Sequence, residues 1–145
     1  MLGKSAAALI VSAALAMPAG AGELFTLVAG IKFVSGAGGC TVGVTVQNHS
    51  GKLLETLTGT VSIHSASGAS IGTSSLRFEY VDPKGFGEDR IWVKQHCSLL
   101  PTFKLRTIDR CVMDGVRYTG CLEFTTVEVE ADWYGKGFPP LVFER

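Results

Sequence analysis

The residues in this chain able to carry chemistry are four cysteines, three histidines, a serine-rich stretch and a few clusters of charged side chains. Cys40, Cys97, Cys111 and Cys121 contain no C-x-x-C spacing of the kind that holds zinc or makes a redox dithiol. An even number without that spacing reads as two structural disulfides, provided the chain folds in an oxidising compartment. His49, His64 and His96 fall in a turn, at an outward strand position and near a strand end. No two are spaced to grip one metal ion from a single strand, so no metal site is expected. The serines between Ser62 and Ser75 lack the G-x-S-x-G elbow of an esterase nucleophile and read as turn and surface residues. Glu123, Glu128, Glu130 and Asp132 could supply the paired carboxylates of a glycosidase, but alternate strand positions more simply make a solvated face. The expectation is no catalytic residue and no cofactor.

Two surface patterns remain as binding candidates. Outward positions on two successive strands read Arg90, Trp92, Lys94, His96 and then Lys104, Arg106, Arg110. Paired as a hairpin, these would form a basic face with one exposed aromatic, suited to anionic polymers such as acidic glycans. A third strand beside them would bring Glu123 across from Arg106, which is ordinary cross-strand decoration. The second pattern is the C-terminal segment holding Trp133, Tyr134, Phe138 and Phe143 beside Pro139-Pro140. It is too aromatic to be a solvated tail, and it either covers the core at a sheet edge or meets a partner.

The elements that position these residues begin after a leader. Met1-Leu2-Gly3-Lys4 carries one positive charge, Ser5 to Met17 is mostly Ala, Leu, Ile and Val, and Ala19-Gly20-Ala21 has small side chains. This is the pattern of a cleaved secretory signal, with Gly22 or a neighbour as the mature start. Its apolar run is short of the roughly 20 residues that span a bilayer, so no stable membrane anchor is expected after cleavage. About 124 residues remain, one domain's worth, with 12 basic against 13 acidic residues once Lys4 is gone. That balance gives no global pull toward nucleic acid. The alanine-rich leader points to a bacterial envelope, hence periplasm or medium.

In the remaining chain, apolar and polar residues alternate with the period of strands. Phe25, Leu27, Ala29, Ile31 and Phe33 share one side of a first strand. Cys40, Val42, Val44 and Val46 share one side of a second, and Leu57, Val61 and Ile63 one side of a third. Leu76, Phe78 and Tyr80 mark a fourth, Ile91 and Val93 a fifth running from about Asp89 to Cys97. A sixth runs from Phe103 to about Val112, with a parity slip between Leu105 and Ile108 that marks a bulge. Asp82-Pro83-Lys84-Gly85 is a turn, Asp114-Gly115 suits a tight hairpin, and a seventh strand runs from about Val116 to Glu130. No segment has a helical period. The fold class is all-β, an immunoglobulin-like antiparallel β-sandwich of about seven strands, as one domain over residues 22–145 with an aromatic C-terminal extension.

Strand direction ranks the three disulfide connectivities. If strands alternate up and down, Cys40 and Cys97 share one end of the sandwich and Cys111 and Cys121 the other. Cys40–Cys97 with Cys111–Cys121 is therefore favoured, and Cys97–Cys111 disfavoured.

The stretch Val44-Thr45-Val46-Gln47-Asn48-His49-Ser50, followed by Val61-Ser62-Ile63-His64-Ser65 and Gly68, resembles the FxLYD-type domain. Asp82-Pro83-Lys84-Gly85 is similar to that family's proline–glycine turn. The resemblance covers about Val42 to Val93, and His64-Ser65 stands where the family has Tyr and Asp. It implies an immunoglobulin-like sandwich of a bacterial envelope protein and carries over no functional residue.

The functional expectation is an exported, disulfide-stabilised, non-catalytic binding or interaction module. Its partner would be an envelope or extracellular protein or anionic polymer. A small secreted hydrolase is one alternative, and a structural or adhesin-like protein assembling through sheet edges is another.

Overall fold

The computed structural model describes residues 14–17, 22–35, 39–65, 67–95, 102–130 and 141–145. Its strands are β1 (Leu15–Ala16), β2 (Phe25–Ser35), β3 (Gly39–Asn48), β4 (Leu54–His64), β5 (Ser70–Val81), β6 (Phe86–Val93), β7 (Thr102–Met113), β8 (Val116–Thr119), β9 (Thr125–Val129) and β10 (Val142–Glu144). They form two packed sheets. The first has the order β1-β8-β7-β4-β5, with β10 also on β7, and the second has the order β6-β3-β2-β9.

The alternation read from the sequence sets which side chains meet between the sheets. Phe25, Leu27 and Ala29 of β2, Val42, Val44 and Val46 of β3 and Ile91 and Val93 of β6 are buried from one side. Leu54, Leu57, Val61 and Ile63 of β4, Leu76 and Phe78 of β5 and Phe103, Leu105 and Met113 of β7 are buried from the other. Removing such side chains from water is the main force holding the layers together, roughly 1.5–3 kcal/mol for each large one. Phe143 of β10 is also buried and pairs in register with Phe103. The end of the aromatic tail therefore covers the core. Trp133, Tyr134 and Phe138 lie outside the described residues.

Three expectations about topology are corrected. The sheets are mixed, because β9 runs parallel to β2, β10 parallel to β7 and β1 parallel to β8. β6 and β7 do not form a hairpin: β6 pairs with β3 in the second sheet, and β7 pairs with β4 in the first. The chain changes sheets between them. The long seventh strand is also broken. It is β8, then a 3-10 turn over Cys121–Phe124, then β9 in the opposite sheet. Gly120, at φ 81°, makes the break in the left-handed region that glycine enters without a Cβ clash.

Several local expectations hold. Asp114 and Gly115 both have positive φ, as a two-residue hairpin turn requires. The parity slip in β7 is a pair of bulges. Arg106 and Asp109 are each skipped in the pairing with β4. In the Asp82–Gly85 turn the positive φ falls on Lys84 rather than on the glycine. Gly85 serves by its size, since a Cβ there would lie 2.9 Å from the Asp82 carbonyl oxygen. Within the segment read as a signal, Leu15 and Ala16 bridge to Tyr118 and Thr119, and Met17 packs against the core.

Candidate functional site

The β7 bulge at Arg106 gathers polar side chains on the outer face of the first sheet. Leu105 points inward opposite Val61, and the skipped residue leaves Arg106 and Thr107 both on the outer face. Its Nε donates to Ser62 Oγ at 2.7 Å, and its Nη2 lies 3.4 Å from His64 Nε2. Ser62 Oγ is 3.0 Å from the same imidazole nitrogen. A guanidinium can only donate, so Nε2 is the accepting nitrogen and the Ser62 hydroxyl proton points to it. Ser62 is buried on an outward-facing position because Arg106 lies over it.

Around this trio is a concavity of about 300 Å³, lined by His64, Ser65, Gly68, Thr102, Lys104, Arg106 and Glu144. Strand register explains the gathering. His64 lies opposite Thr102, Ser62 opposite Lys104, and Lys104 opposite Glu144 of β10. The site is the outer face of the first sheet at the end where β4 finishes and the parallel strands β7 and β10 start. It offers two cationic side chains, an imidazole and two hydroxyls against one carboxylate.

The basic face expected from sequence is thus divided. Lys104 and Arg106 belong to this pocket. Arg110 is exposed further along β7, opposite Thr58. Arg90 and Trp92 project from the other sheet, and Lys94 follows β6 in a bend; His96 lies outside the described residues. Glu123 is not across from Arg106: it sits in the 3-10 turn, where Arg145 donates to the carbonyls of Leu122, Glu123 and Thr125. Thr102 and Glu144 were not singled out from sequence, and Ser62 and Ser65 were read only as turn and surface serines. The outward position of His64, two residues from Ser62, was the one local sign.

Cys111 and Cys121 are joined, with Cα atoms 6.6 Å apart. Cys40 is also disulfide-bonded; Cys97 lies outside the described residues. Among the described residues no group of three or more His, Cys, Asp or Glu is placed to hold a metal ion, and no helix is long and apolar enough to cross a membrane.

A second polar cluster joins the start of β2 to β9. The Glu23 carboxylate accepts from the hydroxyls of Thr126 and Thr26, and Thr26 Oγ1 lies 3.0 Å from His49 Nε2. The Thr126 hydrogen bond, then that from Thr26, holds the Glu23 carboxyl below its ordinary value. A depressed carboxylate stabilises the fold fully above its unfolded pKa and loses that contribution as pH falls through the folded one. Thr126→Val is therefore expected to raise the Glu23 pKa toward 4.5 in a carboxyl-detected NMR titration. It should also lessen the loss of stability below that pH. An unmoved Glu23 titration would show that the threonine bonds do not set it.

These features define the class of protein: an all-β sandwich of two mixed sheets, closed by disulfide chemistry, with a basic pocket on one outer face. Among solved structures the chain is similar to IrmA from Escherichia coli, with a TM-score of 0.57 at 12% identity over 82% of this chain and 96% of that one. At that identity the likeness is one of fold. No protein-family model and no curated protein matches the sequence.

Proposed function

We propose that this chain is an exported, non-catalytic binding module of the bacterial cell envelope, with an immunoglobulin-like sandwich as scaffold. The His64–Lys104–Arg106 pocket would receive an anionic group of an extracellular polymer or protein. The observation that carries this reading is the convergence of Lys104, Arg106 and His64 on one concavity of about 300 Å³ that holds a single carboxylate, Glu144. A carboxylate or sulfate entering it would meet the Arg106 fork and the Lys104 ammonium, which recognise oxyanions by charge-assisted hydrogen bonds. In this reading residues 1–21 are removed on export, which also removes β1 from the edge of β8. Cys40 then pairs with Cys97, in the oxidising compartment that such bonds require.

The hydrolase alternative has one observation in its favour, the 3.0 Å approach of Ser62 Oγ to His64 Nε2. A serine–histidine pair works by letting the imidazole become positive. Here the nitrogen that would take the proton already faces a guanidinium donor at 3.4 Å. Ser62 is also buried, and among the described residues no carboxylate bonds to His64. The same three residues suit anion binding better.

The test is calorimetric titration of the mature protein with a sulfated polysaccharide and with a polyuronate at low ionic strength. Replacing Lys104 and Arg106 together with alanine is expected to weaken binding at least tenfold, as loss of two charge-assisted contacts implies. Wild-type affinity should also fall as salt is added. Equal binding by the double variant, with an unchanged thermal midpoint, would refute the pocket.

A further inference from the structure

The outer face of the second sheet has a different chemistry. Strand register aligns four rows across β9, β2, β3 and β6. The rows read Thr126, Thr26, Gln47, Phe86; then Glu128, Val28, Thr45, Glu88; then Glu130, Gly30, Gly43, Arg90; and finally Thr41 beside Trp92. The third row has two glycines facing each other, so the sheet surface is depressed between Glu130 and Arg90. The Glu130 carboxylate lies over Gly30, in the space a Cβ would take. The resulting hollow, about 150 Å³, is lined by Val28, Gly30, Gly43, Thr45, Gln47 and Glu130.

Aromatic side chains stand at both ends of the β6 border of this face. Phe86 is 78% exposed and Trp92 is 61% exposed. Six residue steps along the strand, about 20 Å, separate them. The two rings do not form one apolar patch, but each offers a flat apolar platform at one end of a polar strand edge. Among the described residues between them, the face presents three carboxylates (Glu88, Glu128 and Glu130), the Arg90 guanidinium, an amide and hydroxyls, with Lys94 just past Trp92. Carboxylates thus outnumber the described cations between the two rings, which disfavours a polyanion there. The groups suit a ligand rich in hydroxyl donors that can also lie flat on aromatic rings.

We propose that this face binds a neutral polysaccharide, laid along β6 with sugar rings on Trp92 and Phe86 and hydroxyls directed to Glu88, Arg90 and the glycine-floored hollow. The site is separate from the basic pocket, on the opposite sheet, and takes a ligand of opposite electrostatic preference. Ring stacking supplies contact area at little entropic cost, and carboxylates are strong acceptors for sugar hydroxyls.

The experiment is affinity electrophoresis of the mature protein in gels containing hydroxyethylcellulose, mixed-linkage β-glucan or galactomannan, with intrinsic fluorescence titration of any that retards it. Retardation by at least one polymer is expected, and it should persist in 0.5 M salt (about a 4 Å screening length). Trp92→Ala, at an exposed position whose loss leaves the core intact, should weaken it at least tenfold. Glu88→Ala should weaken it severalfold. The Lys104→Ala, Arg106→Ala double variant should bind as wild type does, which separates this face from the basic pocket. No retardation by any of the three polymers, undiminished binding by Trp92→Ala, or binding to poly-lysine alone would overturn the proposal.

Discussion

Replacing Asn48 with alanine is expected to destabilise the fold by about 3 kcal/mol, at the upper end of what one polar side chain contributes. Asn48 ends β3 and is 1% exposed. Its amide nitrogen donates to the carbonyls of Lys52 at 2.7 Å, Val81 at 3.1 Å and Asp82 at 3.2 Å. Its Oδ1 accepts from the Ser50 backbone nitrogen and hydroxyl. Its own backbone is bonded to the 82–85 turn, with Asn48 N donating to Gly85 O and Lys84 N to Asn48 O. One side chain thus ties the β3–β4 turn to the β5–β6 turn, the point where the chain passes from the first sheet to the second. Alanine would leave the buried Val81 carbonyl without this donor and free the Ser50 and Lys52 turn. The urea midpoint should fall by roughly 1–3 M. Asn48→Asp separates the geometry from the packing. It keeps the shape and the acceptor for Ser50, but directs a carboxylate at three carbonyl oxygens. Its folded-state pKa would be raised, so this variant should gain stability as pH falls, the reverse of the Glu23 case. If both variants unfold within 0.5 M of wild type, the turn junction is held by the backbone alone.

The strand periodicity placed most of the core, because a period of two is a local property of the chain. Phe25, Leu27, Val42, Val44, Val46, Val61 and Ile63 are buried where alternation put them. The bulge in β7 was legible for the same reason: Leu105 and Ile108 break the parity of a regular strand. Which strands pair is not a local property. Arg90 and Lys104 read equally well as neighbours on a hairpin or as residues of opposite sheets, and only the long-range pairing of β6 with β3 decides between them. The basic face failed as a unit on this point, while its Lys104–Arg106 half survived because both residues lie on one strand. Gly120 in isolation suggested no strand break, since alternation resumes in β9 after the 3-10 turn. The acidic side of the second face was likewise hidden. Glu128 and Glu130 were read as one solvated face, but they lie about 40 residues from Glu88 and join it, Arg90 and Trp92 through β2 and β3. Asn48 entered the sequence reading only within the stretch from Val44 to Ser50, and its hydrogen bonds to a turn 34 residues away were not visible there.

The change of sheet at Gly120 gives the Cys111–Cys121 disulfide its importance. The bond joins β7, in the first sheet, to the 3-10 turn from which β9 departs into the second. Both cysteines are buried, and Thr125 Oγ1 donates to the Cys121 carbonyl at 2.7 Å to fix the exit. Closing so short a loop limits the unfolded chain by about 3 kcal/mol on the loop-entropy estimate. Substituting both cysteines with alanine should therefore lower Tm by roughly 10 °C, with no thiol left to exchange with the other pair. The loss should be uneven. Among the described residues β9 is the edge strand of its sheet, paired with β2 alone, so its amides should lose hydrogen-exchange protection before those of β4, which is flanked by β5 and β7. Glu128 and Glu130 ride on this edge, so loosening it should weaken the acidic face while leaving the Lys104–Arg106 pocket formed. A double variant with Tm within 2 °C of wild type and unaltered β9 protection would mean that the parallel β2–β9 ladder and the Thr125 bond hold the crossing alone. The expected result instead makes oxidation a condition for the second face, and ties its integrity to the compartment in which the chain folds.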